Sequence, residues 1–420
     1  MKTLFRFPDL LRDGMFRRFW LGQTVSLFGD QISQFAIPLV GVLVLHANPA
    51  QMGYLVAAGI VPSLLFSLHT GAWVDRRGHR RLMMLTADMA RAASLITIPI
   101  AYAFGSLTLV HLYIVAFFIG SFDVLFFVAY NTLFVSIVKQ DDYLQGTSLL
   151  NGSRAVSSVV GQGIAGLLVA ALSAPVALLT DAASFVVSAL FLRSINPEEP
   201  PTSEAGPGQL TAGIRFIIHS ASIRAALGAT ATVNYFNFVY FPLFTLYAVR
   251  YLGVKPALLG LVLSAGAIGT VAGSVVTSPL SRKIGVGRAF IVSCLVFPAP
   301  LLLVPAASGH GTARLILLFL AEFGSGLGVM LLDITAGTIF ATIIPNTIRA
   351  SVSGAYRMVN YGVRPLGALT AAALGSLIGV RATLWVAAIG GVFCVFWVVF
   401  SPLRNRELVA EPLPERAISA

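Results

Sequence analysis

The chain alternates long apolar runs with short polar gaps. Twelve of the runs are long enough, at roughly 20 residues, to cross about 30 Å of hydrocarbon as helix. They fall near 18–45, 51–74, 82–104, 109–136, 147–172, 175–192, 224–248, 257–280, 288–307, 314–340, 351–378 and 382–401. Period-two alternation is missing and the runs are about twice a barrel strand in length, so the pattern predicts helices and excludes a β-barrel. One gap is long: in 193–222, Asn196-Pro-Glu-Glu-Pro-Pro and Gly206-Pro-Gly make a flexible linker ahead of a short amphipathic stretch from Leu210 to His219. The predicted organisation is an N-terminal six-helix half (1–192), a cytoplasmic linker (193–222), a C-terminal six-helix half (223–401) and a cytoplasmic tail (402–420).

Composition makes the membrane reading firm. The 420 residues are 57% hydrophobic and 11% charged, with a mean hydropathy of +0.85, against about 25% charged in a soluble domain. A net charge of +11 suggests a polyanion partner until the positions are read. Twenty of the 28 basic residues lie in gaps on one side or in the tails, and only Arg250, Lys255, Arg314 and Arg381 lie on the other. Positive charge collects on the cytoplasmic side, so both termini are expected inside, with no nucleic-acid partner. The opening Phe16-Arg-Arg-Phe-Trp-Leu21 loosely resembles a twin-arginine export signal, but the run behind it contains Asp30 and no small-residue cleavage site. It is expected to stay as the first membrane helix.

Enzyme chemistry finds no foothold. The six histidines are scattered, no His-Glu-x-x-His or Gly-x-Ser-x-Gly occurs, and Cys294 and Cys394 sit in separate apolar runs. No metal site, disulfide framework or cofactor is expected. Without a nucleotide-binding loop, energy for any transport must come from a gradient.

The halves also repeat. A shift of 207 places the loop Gly71-Ala-Trp-Val-Asp-Arg-Arg-Gly-His-Arg-Arg81 on Ser278-Pro-Leu-Ser-Arg-Lys-Ile-Gly-Val-Gly-Arg288, and a shift of 203 places Arg154 on Arg357. Two six-helix halves in a parallel repeat predict a transporter with its site near the membrane midplane.

The loop residues Gly71, Asp75, Arg76, Gly78, Arg80 and Arg81 resemble the signature between helices 2 and 3 of the major facilitator superfamily. The opening Phe16-Arg-Arg-Phe-Trp-Leu-Gly-Gln-Thr-Val-Ser-Leu-Phe-Gly-Asp30 is similar to its branch of macrolide and siderophore (enterobactin) exporters. The resemblance implies an all-α fold of twelve transmembrane helices in two pseudo-two-fold-related halves. It also implies alternating access, proton-driven efflux of a small molecule, and a cavity lined by helices 1, 4, 7 and 10. The sequence departs from the pattern at His79 for an arginine, at Ala116 four residues before Gly120, and at Gln162 for a proline within Gly161-Gln-Gly-Ile-Ala-Gly166. Within the loop, a carboxylate beyond helix 2 can meet a neighbouring helix N-terminus while arginines pair with acids. A gating cluster of Gly71, Asp75, Arg76, Gly78, His79, Arg80 and Asp123 is therefore expected, with Asp123 facing the basic loop.

Polar residues inside the runs nominate the rest of the site, because ionisable groups in a span are costly unless they face a partner or a cavity. Helix 1 carries Gln23, Ser26, Asp30 and Gln34 on one face, with Gln31 beside it. Asp30 lies about 18 Å past Arg18, and Glu322 about 12 Å in from Arg314, at helical rise. These two are the proton-coupling candidates. Gln31, Gln34, Asn131, Arg154, Asn234, Asn237, Tyr240, Arg357, Asn360 and Tyr361 are the substrate-cavity candidates. Arg154 and Arg357 either pair with the cavity acids, the slightly favoured reading, or receive an anionic substrate. Asp88 and Arg91 are expected to satisfy one another, and Asp181 to reach the outer interface. Abundant Phe and Tyr near the stripes favour a hydrophobic or amphipathic substrate over a sugar. The leading expectation is a monomeric exporter in a bacterial plasma membrane, with protons, a small molecule and the bilayer as partners. A proton-coupled importer on the same fold and a non-transporting receptor or scaffold are the alternatives.

Overall fold

The computed structural model describes residues 9–197, 209–309, 311–345 and 347–404, and within them the fold is helical with no strand. The first half comprises α1 (Gly14–Leu39), α2 (Pro49–Arg77), α3 (Arg80–Ala103), α4 (Leu109–Ile137), α5 (Tyr143–Leu172) and α6 (Ala174–Arg193). A short α7 (Gln209–His219) then leads, through a 101° turn, into α8 (Ala221–Leu246). The rest are α9 (Pro256–Ile284), α10 (Val286–Val296), α11 (Leu303–Ala306), α12 (Thr312–Ile343), α13 (Arg349–Leu377), α14 (Val380–Val392) and α15 (Cys394–Val399). Several starts are set by side-chain caps: Asp13 accepts from the Met15 and Phe16 amides, Thr108 from His111, and Ser220 from Ile223.

Ten of the described helices are long and apolar enough to cross a membrane, and an eleventh is added when α7 and α8 are counted together. The remaining expected span, 351–378, corresponds to α13. It is 29 residues long, but Ser353, Arg357, Asn360, Tyr361 and Arg364 make one side of it polar.

The chain forms two compact units: Met1–Ala47 with Ala58–Ala205 and Lys255–Leu261, and Asn48–Ala57 with Gly206–Val254 and Val262–Ala420. Each has a core gathered at corresponding ends of its helices. In the first it includes Phe16, Phe19, Met83, Met84 and Leu133; in the second, Ile223, Ala226, Phe290, Ile339 and Val398.

The repeat reaches down to single backbone turns. A π-helical turn at Val40–Val44 is matched by one at Tyr247–Tyr251. The bonds that close the first, Leu45 N–H to Val40 and Ala47 N–H to Gly41, recur as Leu252 to Tyr247 and Val254 to Ala248. Left-handed residues also pair, 204 to 207 positions apart: His46 with Gly253, Gly78 with Gly285, Gly105 with Gly309, and Ser173 with Gly379.

In the last pair the side chain differs while the backbone does not. Ser173 holds φ 92°, ψ 157° between α5 and α6, and Gly379 holds φ 85°, ψ 160° between α13 and α14. A β-carbon in that region costs about 1–3 kcal/mol, and glycine gives back part of the gain through a more flexible unfolded chain. Ser173→Gly is expected to raise the thermal midpoint by about 2 °C, read by differential scanning fluorimetry in detergent. An unchanged or lower midpoint would show that the turn is not strained.

Candidate functional site

In the first unit the polar residues of α1 meet different neighbours according to depth. Gln23 and Ser26 are buried, Asp30 and Gln31 are half-buried, and Gln34 is exposed. The Gln162 amide of α5 donates to the Gln31 carbonyl oxygen at 2.9 Å. Ser33 donates to Asp181 of α6, and Ser184, one turn further along α6, donates to the other Asp181 oxygen at 2.9 Å. Gly29 permits this approach, because a β-carbon there would fall 2.3 Å from Asp181 Oδ1. Asp181 is thus buried between helices and does not reach the outer interface. Counting along α6 gave its depth but not the direction it faces.

One guanidinium organises the carboxylates. Arg91 of α3 donates through Nη2 to Asp88 and through Nη1 to Asp123 of α4 at 2.7 Å. Its head lies between the Phe126 and Phe185 rings, 4.4 and 4.1 Å from their centroids. Asp30 lies within electrostatic reach of Arg91, Asp181, Asp123 and Asp88. Two carboxylates therefore hold a single arginine inside the membrane-spanning region, and two more, on α1 and α6, lie within its electrostatic reach. Asp88 and Arg91 do satisfy one another, but Asp123, expected at the basic loop, belongs to this cluster. It sits at the middle of α4, about 21 Å from the helix end that the loop borders.

The loop itself is a tight corner. α2 runs through to Arg77, which places Asp75 in its last turn and not beyond it; the Gly71 and Asp75 side positions lie outside the described residues. Gly78 and His79 both take left-handed backbone, and the His79 ring contacts the Arg77 carbonyl at 2.9 Å. Arg76 is exposed and Arg80 is buried. Arg81 donates to the Ile195 carbonyl and Arg18 to the Ser194 carbonyl at 2.8 Å. Two basic side chains thus satisfy the orphan carbonyls at the α6 C-terminus.

In the second unit, Tyr240 of α8 donates to Glu322 of α12 at 3.0 Å and stacks on Phe244. A polar seam joins α8 to α13: Asn234 donates to Asn360 at 3.2 Å, Tyr356 to Thr230 at 2.7 Å, and Tyr235 bonds Thr370 at 2.7 Å. Arg364 lies over Tyr361 and Phe238 and acts electrostatically on Asp333. Asn237 is half-buried and Tyr361 exposed. In the first unit Asn131 is exposed, with its amide turned back to the Phe127 carbonyl at 2.8 Å.

Arg154 and Arg357 are both exposed, and neither pairs with an acid among the described residues. The pairing with cavity acids expected of them is not formed among the described residues. Asp181 and the joint role of Asp88, Arg91 and Asp123 escaped the sequence reading. The usable signal was four acids and one arginine at mid-span depth in helices 1, 3, 4 and 6.

A family model described as transmembrane secretion effector matches residues 8–417. The multidrug efflux pump Tap of Mycolicibacterium fortuitum is 25% identical over 411 residues, covering 91% of this chain and 95% of that protein. The uncharacterized MFS-type transporter YfiS of Bacillus subtilis (strain 168) is 24% identical over 376 residues, covering 85% of this chain and 86% of its own length. Among solved structures, a bacterial homologue of the iron transporter ferroportin superposes with TM-score 0.75 at 15% identity, covering 93% of this chain and 99% of that one. The nucleoside transporter NupG does so with TM-score 0.72 at 13% identity, covering 92% and 98%. At such identities the superpositions speak for the fold alone.

Proposed function

Since the chain belongs to the transmembrane secretion effector family of the major facilitator superfamily, it is a multi-pass membrane transporter and not an enzyme, and we propose that it exports hydrophobic or amphipathic small molecules in exchange for protons. The observation that carries the proton half of this reading is the cluster of Asp30, Asp88, Asp123 and Asp181 around Arg91. Carboxyl groups from four helices that share one guanidinium make a place where a proton can be exchanged against the arginine's charge as the helices move. A carboxyl shared in this way binds a proton from one side and loses it when helix movement changes its neighbours. Asp30, on α1, is the member we assign to coupling. Glu322, bonded to a neutral tyrosine rather than a cation, is its counterpart in the second unit.

Export is supported by the likeness to a multidrug efflux pump over nine-tenths of the chain. The basic bias of the gaps supports a bacterial plasma membrane with both termini cytoplasmic, and the protein acts as a monomer in this reading. The transport cycle is alternating access, powered by the proton gradient.

A pH-sensitive dye inside proteoliposomes tests this. With a proton gradient imposed, adding an amphipathic compound to wild-type protein is expected to release protons across the membrane. Asp30→Asn and Glu322→Gln are each expected to cut that signal at least about tenfold, the size of effect that loss of a positioned acid–base group gives. Compound flux in oriented vesicles fixes direction, and accumulation toward the cytoplasmic face would make the protein an importer. If both variants keep full proton-dependent flux, the coupling assignment is wrong.

A further inference from the structure

The described membrane-spanning helices contain six carboxyl groups away from their ends, and none of them forms an ion pair with Arg154 or Arg357. Asp30, Asp88, Asp123 and Asp181 gather around Arg91, Glu322 takes the Tyr240 hydroxyl, and Asp333 lies in the field of Arg364. Among the described residues, two guanidiniums within the spans are left without a bonded acid or a ring beneath them. Arg154 of α5 and Arg357 of α13 are both exposed and neither is paired among the described residues.

Their positions argue against simple lipid exposure. On α5, Arg154 shares a side with Asn151, Ser158 and Gln162, whereas the exposed apolar residues Val156, Val160, Ile164 and Leu167 lie on the other side at 100° per residue. On α13, Arg357 shares a side with Asn360, Tyr361 and Arg364, opposite the exposed Val359, Leu366 and Leu377. Arg154 acts electrostatically on Tyr130 of α4, whose ring stacks with Phe19 and Phe126. Arg357 has Tyr361 one turn on along the same side of α13, a ring that Arg364 also covers. Each unit therefore offers one planar, five-donor cation without a bonded acid among the described residues, on a side that also carries a tyrosine (Tyr130 near Arg154, Tyr361 one turn from Arg357), at sequence positions related by the internal repeat. An arginine kept in a span without a protein counter-ion calls for a ligand that supplies one.

We propose that Arg154 and Arg357 are anion-receiving groups, and that the compounds this transporter moves are amphipathic organic anions with an aromatic or hydrophobic body and a carboxylate, sulfonate or phosphate head. The head bonds the guanidinium fork and the body lies on the neighbouring rings. This inference rests on the transporter reading above and narrows its substrate class.

Three isosteric probes test it: 1-naphthaleneacetate, 1-naphthaleneacetamide and 1-naphthylethylamine, bound to purified full-length protein in an uncharged maltoside and followed by Tyr and Trp fluorescence. Wild type is expected to bind the carboxylate at least about tenfold more tightly than the amide, the size of one charge-assisted hydrogen bond. Arg154→Gln and Arg357→Gln should each weaken carboxylate binding and the double variant should lose the preference, with an unchanged size-exclusion profile reporting that the variants are folded. Arg154→Lys and Arg357→Lys should keep part of it, and serve in place of glutamine if that substitution prevents folding. Equal affinity for the three probes in wild type, or a preference for the amine, overturns the proposal. So does a carboxylate preference that survives the double glutamine variant.

A lipid phosphate is the other source of the same chemistry. If phosphatidylglycerol micelles abolish naphthaleneacetate binding through the same two arginines and wild-type proteoliposomes never carry naphthaleneacetate, the site belongs to lipid and the substrate claim fails. Naphthylethylamine flux that is proton-driven and indifferent to both arginines would sink the anion inference while leaving proton-coupled export standing. An arginine-dependent naphthaleneacetate flux without proton movement would do the reverse.

Discussion

Replacing Arg91 with methionine is expected to cost this transporter most of its folded yield. The side chain is 4% exposed, its two Nη atoms each hold a carboxylate, and two phenylalanine rings lie against it. Methionine fills much of the same volume but leaves Asp88, which is fully buried, and three further carboxyl groups without any cation. Removing one partner of a buried ion pair costs about 3–5 kcal/mol, a large share of the 5–15 kcal/mol that holds a typical fold together. Size-exclusion profiles of tagged protein in mild detergent should show the monodisperse peak collapsing, and the surviving fraction should melt at least about 5 °C lower. Adding Asp88→Asn to Arg91→Met removes the stranded charge, so the double variant should recover part of the loss. Arg91→Lys keeps charge but gives up the two-pronged geometry and the ring sandwich, and should fall between. A melting point within a degree of wild type for Arg91→Met would mean that the four acids are protonated independently of the arginine.

The sequence was most informative where one residue type carries the signal alone. Apolar runs gave the spans, Lys and Arg in the gaps gave the orientation expected, and the loop at 71–81 gave the family. It was least informative where two distant residues had to be placed on facing sides of two helices. Ser33 and Asp181 are 148 positions apart, and nothing in either run says that α1 turns one toward the other. Linear depth made Asp181 look peripheral, and rotation about the α6 axis decided its contact. For Asp123 depth itself decided, since mid-α4 lies about 21 Å from the loop. Arg154 and Arg357 failed in the opposite sense: their repeat relation was visible, but their lack of an acidic partner emerges only once every acid has been assigned elsewhere. The repeat itself ran deeper than the letters, since His46 and Ser173 take the left-handed backbone of Gly253 and Gly379.

Valine at Gly326 should be more damaging than any surface substitution, because the crossing of α9 and α12 has no room for a β-carbon. A Cβ at Gly326 would lie 1.9 Å from the Gly266 carbonyl oxygen, and its repeat mate Gly120 in α4 would place one 2.2 Å from the Gly59 carbonyl of α2. The obstruction is backbone in both cases, so no rotamer change relieves it and the two helices must separate. Close packing at small residues is what holds helices together in a bilayer, where lipid is as apolar as leucine. Overpacking costs about 1–3 kcal/mol in a yielding core, and a rigid backbone contact places the expected loss at the upper end. Glu322 lies one turn before Gly326, so the same separation draws it away from the Tyr240 hydroxyl and should weaken proton coupling in whatever protein survives. Gly337→Ala on the same helix is the control. A β-carbon there meets nothing within 4 Å, and alanine is the better helix former by about 1 kcal/mol, so its midpoint should hold or rise. Opposite signs for Gly326→Ala and Gly337→Ala in one melting series, mirrored by Gly120→Ala in α4, would locate the loss in the crossing itself. Equal midpoints for the two alanine variants would mean that α9 and α12 sit further apart than their backbones indicate, and Gly326→Val would then be tolerated as well.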